Sequence, residues 1–219
     1  MRYRQVLEIV GDEPLFETGL LLAGDVDPAN TRRQLSRWTA GGKLIQLRRG
    51  LYALAPPYQK KKPHLFLVAN RLVGASYVSC QSALAYYGLI PEYVPTVTSV
   101  TTRRPNAYDT PFGRYAFGHL KRDLFFGYTY NALGNGQHAF VASPEKALLD
   151  QAYLQPGGDA LPYLRGLRLQ NLHQLDLQAL DSMARRTGSP KLIRTAARIA
   201  SMADDEAESE NEWLEGTGP

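Results

Sequence analysis

A single cysteine, Cys80, leaves the chain no intrachain disulfide, so stability must come from core packing and a reducing cytoplasm is the expected location. Cys80 itself is read as a small buried apolar side chain. Long apolar runs are also missing. Every hydrophobic stretch meets a charge or a glycine well short of the roughly twenty residues that a membrane helix needs. Residues 1–10 have acids close behind them and no signal-peptide core, so no membrane partner and no secretion are expected. His64, His119, His138 and His173 are scattered without the paired spacing of a zinc site, so neither metal nor cofactor is expected. A P-loop and a serine-nucleophile motif are absent. Gly188-Ser189 leads into Pro190-Lys191, where nucleotidyl transfer would need a metal-holding Asp-x-Asp or Asp-x-Glu pair. Glu145 and Asp150 are five residues apart on one expected helix, roughly 140° around it, and do not converge. With Lys146 between them they read as a capped, salt-bridged helix start, and no catalytic residue is assigned.

Basic residues are absent from the last 17 positions, which hold seven acids. The formal charge of +4 therefore hides an asymmetry: residues 1–202 carry all 25 bases against 14 of the 21 acids, a charge of +11. A body so charged favours a polyanionic partner, because each lysine or arginine placed at a phosphate releases counterions. The acidic end has too little apolar surface to fold alone, although Trp213 and Leu214 could dock. It is expected either to lie near the basic body as a weak competitor of DNA or to be a solvated terminus.

What is present is concentrated in residues 30–54. Thr31, Leu35 and Trp38 form one apolar helix face, and Asn30, Arg33 and Arg37 repeat at three and four on the opposite face. Gly41-Gly42 ends that helix, two short apolar-rich strands follow at 43–47 and 51–54, and Arg48-Arg49-Gly50 turns between them. A basic helix running into a basic hairpin is the core of a winged helix-turn-helix, whose helix enters the major groove while the ribbon lies along the backbone or minor groove. Arg33, Arg37 and Asn30 are expected at base edges, Arg48 and Arg49 at the wing-side backbone or minor groove, and Arg32 and Lys43 at phosphates. Helix-hairpin units with basic surfaces also serve as protein-docking modules, and that reading stays beside the first.

Helices are expected around Val6 to Val10, over residues 14–22, and over 28–40 with Asp27 as cap. The run Lys60-Lys61-Lys62, flanked by prolines, is either a solvated linker or a phosphate-contacting arm. Beyond it, helices are expected at 64–73 and 79–88, strands at 97–102, 114–119, 125–130 and 137–142, a Ser143-capped helix at 143–153, and helices to about 202. Aromatics such as Tyr86, Tyr87, Phe125, Phe126, Tyr128 and Tyr130 are read as core rather than as a docking surface. The whole reads as α+β: a winged-helix domain at 1–62, a mixed sheet-and-helix domain at 63–202, and an acidic tail at 203–219.

Residues 42–54 (GKLIQLRRGLYAL), 79–91 (SCQSALAYYGLIP), 97–104 (VTSVTTRR), 125–127 (FFG) and 142–150 (ASPEKALLD), in that order, resemble the AbiEi antitoxin family of abortive-infection systems. The likeness covers about residues 1–200 and does not include the acidic end. It implies a non-enzymatic repressor that binds double-stranded DNA at its own promoter. It also implies a second domain that counters a nucleotidyltransferase toxin, by direct contact or by a functional route. A stand-alone winged-helix regulator without a toxin is the alternative, and a nucleic-acid-processing enzyme is the more distant one.

Overall fold

The structure, a computed structural model, describes residues 1–23 and 26–216. Gly24 and Asp25, within the turn expected before the third helix, lie outside the described residues. The N-terminal unit comprises α1 (Tyr3–Val10), β1 (Phe16–Glu17), α2 (Thr18–Leu21), α3 (Pro28–Ala40), β2 (Leu44–Arg48) and β3 (Leu51–Leu54). Its strands lie in the order β1-β3-β2, all antiparallel. The helix expected over 14–22 is in fact two elements. Phe16 and Glu17 extend beside Tyr52 and Leu51, Phe16 stacks on Tyr52 at 5.8 Å, and the Thr18 amide donates to the Gly50 carbonyl at 2.9 Å. Pairing with the hairpin overrides local helix propensity until Thr18.

The second unit comprises α4 (Leu65–Leu72), β4 (Ser76–Val78), α5 (Cys80–Tyr86), β5 (Thr96–Thr101), β6 (Asn106–Thr110), β7 (Gly113–His119), β8 (Tyr128–Ala132), β9 (His138–Ala142), α6 (Pro144–Leu154), α7 (Leu161–Gly166), α8 (Leu177–Arg186) and α9 (Pro190–Gly216). Six strands form a mixed sheet in the order β6-β7-β5-β4-β9-β8, with β4-β9 and β5-β7 parallel. The chain is thus α+β throughout. Two strands were not legible: β4 is only three residues, and β6 is a mostly exposed edge without apolar alternation. β8 starts at Tyr128 rather than 125, because a 3-10 turn at Arg122–Leu124 and Gly127 at φ +72 bend the chain first. A Cβ on Gly127 would also press on the Lys146 side chain at 3.0 Å.

Two apolar cores meet at β3. Its Tyr52 and Leu54 pack with Val6, Val10, Phe16, Leu21, Leu35 and Leu44, whereas Leu51 and Ala53, pointing the other way, join the larger core with Val68, Ala69 and Leu72 of α4. Strict alternation therefore buries both faces of the strand. The segment between the units is pinned rather than free. Lys60 pairs with Asp12 at 2.8 Å, while the Gln137 side chain donates to the Lys62 carbonyl and accepts from the His64 amide at 3.0 and 2.8 Å.

His64 also caps α4, its Nδ1 accepting from the Phe66 amide at 3.1 Å, and burial lowers its pKa. The neutral ring is what the folded chain uses, so its contribution is complete above the unfolded value of about 6.5 and is lost as pH falls from there through the folded value. Thermal melts should show wild type losing stability over that window more steeply than His64→Asn, which keeps a cap acceptor without a titrating ring. Equal slopes would remove His64 from the pH response.

The acidic end does not stop being helical at 202. Leu192, Thr195, Ala196 and Ile199 pack one face of α9, and elongation from a packed stem needs no new nucleus, so the Ala- and Glu-rich run continues to Gly216. The Glu206 carboxylate accepts from the Leu172 amide at 2.7 Å. The side chains of Trp213 and Leu214 lie outside the described residues. Among the described residues no helix is long and apolar enough to cross a membrane.

Candidate nucleic-acid interface

α3 begins where sequence places it: the Asp27 carboxylate accepts from the Ala29 amide at 2.9 Å, and Pro28 occupies the first turn. Thr31 and Leu35 are buried, and Trp38 is half-buried against Tyr3 with ring centroids 5.4 Å apart. That fixes the rotation of the helix. Asn30, Arg32, Arg33 and Arg37 are consequently all exposed, and among the described residues no hydrogen bond or ion pair engages their side chains. They are free to meet a ligand without first breaking a contact.

The hairpin brings part of the second expected set beside them. Gly50, at φ +85, closes the turn, and its carbonyl receives the Thr18 amide, so the turn is clipped to the start of α2. Arg32 of α3 and Arg49 of the turn line one open groove together with Thr18, Gly19, Leu22 and Tyr52. The α2 contribution was not legible in the sequence, because the Thr18–Gly50 contact spans 32 residues. Lys43 is exposed, with its ammonium 5.0 Å from the centre of the Tyr3 ring and its carbonyl accepting from the Tyr3 hydroxyl at 3.0 Å.

Arg48 is placed differently from its neighbour. The β2-β3 register shifts between Gln46 and Arg48, so Arg48 pairs with Leu51 and shares the face that Leu51 and Glu17 turn toward α4. A bulge of this kind re-aims a side chain. The Arg48 guanidinium donates to the Arg71 carbonyl at 3.0 Å and the Arg49 carbonyl at 3.1 Å, and lies 3.7 Å from Glu17. It ties the turn to α4. On the expectation that this face meets duplex DNA, Arg49→Ala should weaken binding several-fold, as removal of a phosphate-contacting cation would. Arg48→Ala should cost about 1 kcal/mol of stability with a smaller effect on affinity. The opposite ranking in binding titrations would return Arg48 to the interface.

The carboxylates of α6 are not an open metal site. Ser143 caps the helix by accepting from the Lys146 amide at 3.2 Å, and Glu145 accepts from the Asp176 amide at 3.1 Å. Asp150 is buried, bonded to the Lys146 ammonium, the Tyr77 hydroxyl at 3.0 Å and the Ser79 hydroxyl at 2.7 Å. The salt bridge expected at this helix start forms between Lys146 and Asp150 and lies inside: both side chains are 3% exposed or less. Burial raises the Asp150 pKa even against the pull of Lys146, and it also pushes the Tyr77 hydroxyl and the Cys80 thiol up. Among the described residues no three His, Cys, Asp or Glu side chains group as a metal centre requires.

No protein-family model matches the chain, and no curated protein matches it. Among solved structures, the crystal structure of the RV2827C protein from Mycobacterium tuberculosis is similar, with a TM-score of 0.50 and 16% identity over 92% of this chain and 80% of that one. The likeness is one of fold and spans both units.

Proposed function

We propose that the chain is a transcriptional repressor that binds duplex DNA through an N-terminal winged helix, with α3 as the recognition helix and the β2-β3 hairpin as the wing. The observation that carries this reading is the free, exposed row of Asn30, Arg32, Arg33 and Arg37 beside Arg49, with Arg32 and Arg49 lining one groove. Arginine can bond guanine bidentately and asparagine adenine, while cations at the groove edge neutralise phosphates. The body charge of +11 over residues 1–202 supports the same partner.

We further propose a cytoplasmic, non-enzymatic antitoxin that represses its own operon and counters a nucleotidyltransferase toxin. This half rests on the AbiEi-like residues of the second unit. The occupied, buried carboxylates of α6 fit a structural role better than a catalytic one. The test is a reporter driven by the chain's own upstream region, together with growth on co-expression of a nucleotidyltransferase encoded beside it in the same operon. Repression lost with Arg33→Ala/Arg37→Ala, and rescue of growth by the full chain, are the expected results. Repression without rescue would leave a stand-alone regulator, and no repression would overturn the reading.

A further inference from the structure

A second open groove lies on the larger unit, between α4 and the β8-β9 hairpin at the sheet's edge. The hairpin register sets Tyr130 opposite Phe140 and Ala132 opposite His138, so Tyr128, Tyr130, His138 and Phe140 share one face. Tyr130 stacks on His138 at 5.0 Å and 14°, lies 4.9 Å from Phe140, and Phe140 in turn lies 5.7 Å from Tyr128. Tyr130, on the edge strand β8, is 62% exposed and Phe140, on the neighbouring β9, 42%, an unusual amount of ring surface to leave in water. The wall opposite is fixed: the Asn70 side chain accepts from the Phe140 amide at 2.6 Å and donates to its carbonyl, which clamps α4 to β9.

The charge around these rings has one sign. Arg71, exposed and with no side-chain partner among the described residues, lines the groove, and no acid does. The Lys61 ammonium lies beside Gly136 at the tip of the same hairpin. Exposed ring surface beside the unpaired Arg71 cation, in a groove that no carboxylate lines, is the chemistry that holds unpaired bases and their backbone. The groove is open and the rings form a series, which suits consecutive nucleotides better than one enclosed mononucleotide.

We propose that this groove binds single-stranded nucleic acid, with bases stacking on Tyr130 and Phe140 and the backbone held at Arg71 and Lys61. The site shares no residue with the duplex interface, so the two proposals stand or fall separately. Fluorescence anisotropy of the full chain with labelled ten-nucleotide oligo-U and oligo-dT provides the test, with duplex binding and thermal melts recorded on the same samples. Tyr130→Ala and Phe140→Ala should each weaken oligomer binding about tenfold while leaving duplex affinity unchanged. Tyr130→Phe should bind like wild type, because the ring is kept, and Arg71→Gln should flatten the salt dependence. Tighter binding of oligo-U than of oligo-dT would assign the ligand as RNA, the reverse as DNA. Absence of oligomer binding at low salt would overturn the proposal and leave the rings to a protein partner. Binding that survives both alanine substitutions but falls with Arg33→Ala/Arg37→Ala would overturn it equally, by moving the oligomer to α3.

Discussion

Replacing Lys146 by methionine, or Asp150 by leucine, should lower the stability of the chain by about 3–5 kcal/mol, the cost of stranding one member of a buried ion pair. Both side chains are almost fully buried, and Asp150 collects three donors, from Lys146, Tyr77 and Ser79. Removing the cation takes away the largest influence opposing burial, so the Asp150 carboxyl in Lys146→Met should titrate higher still. A carboxyl whose folded pKa is raised contributes fully below its unfolded value of about 3.9 and loses that contribution as pH rises through the folded value. Lys146→Met should accordingly be least stable near neutrality and recover on mild acidification, as read from urea midpoints. The double variant Lys146→Met/Asp150→Leu should be more stable than either single one, since no charge is left unpaired, although Tyr77 and Ser79 lose their acceptor at about 1–3 kcal/mol each. Single variants that melt like wild type would show that water reaches the pair.

In the N-terminal unit, Arg33→Ala and Arg37→Ala should leave the melting temperature unchanged and cut specific duplex affinity. Neither guanidinium has a partner among the described residues, so the fold loses nothing with it. A bidentate base contact is worth about 1–3 kcal/mol of discrimination, so each substitution should relax preference at one base position. The pair together should bring specific binding down about a hundredfold or more, toward the affinity of scrambled DNA. A combined variant that still distinguishes the two duplexes would move recognition off α3.

Much of the N-terminal unit was legible because its signals are local. The Asp27 cap, Pro28, the Thr31–Leu35–Trp38 stripe and the Gly41-Gly42 stop each act within a few residues, and α3 forms where they place it. The same holds for α6, from its Ser143 cap and Pro144. What could not be read depends on contacts between distant segments. Phe16 and Glu17 become a strand only because β3 is there to pair with them. Arg48 and Arg49 are adjacent in sequence, yet one bulge sends the first toward α4 and leaves the second at the groove. The pairing of Lys146 with Asp150 is readable from i,i+4 spacing but its burial is not, because that spacing is the same on an exposed helix and on a buried one. The short β4 and the polar edge β6 carry no periodicity, and the extension of α9 to Gly216 follows from a stem that is packed only in the folded chain. On the aromatic face of β8-β9, Tyr130 is read as core from sequence, yet pairing at the sheet edge leaves its ring in water.

The central claim, duplex recognition by α3 beside the hairpin turn, is tested most directly by titrating the full chain with its own promoter duplex and with a scrambled duplex at several salt concentrations. The expected result is tighter binding to the promoter at every salt, with affinity for both falling steeply as salt rises, because several phosphates are neutralised. Equal affinity for the two duplexes across the series would contradict it.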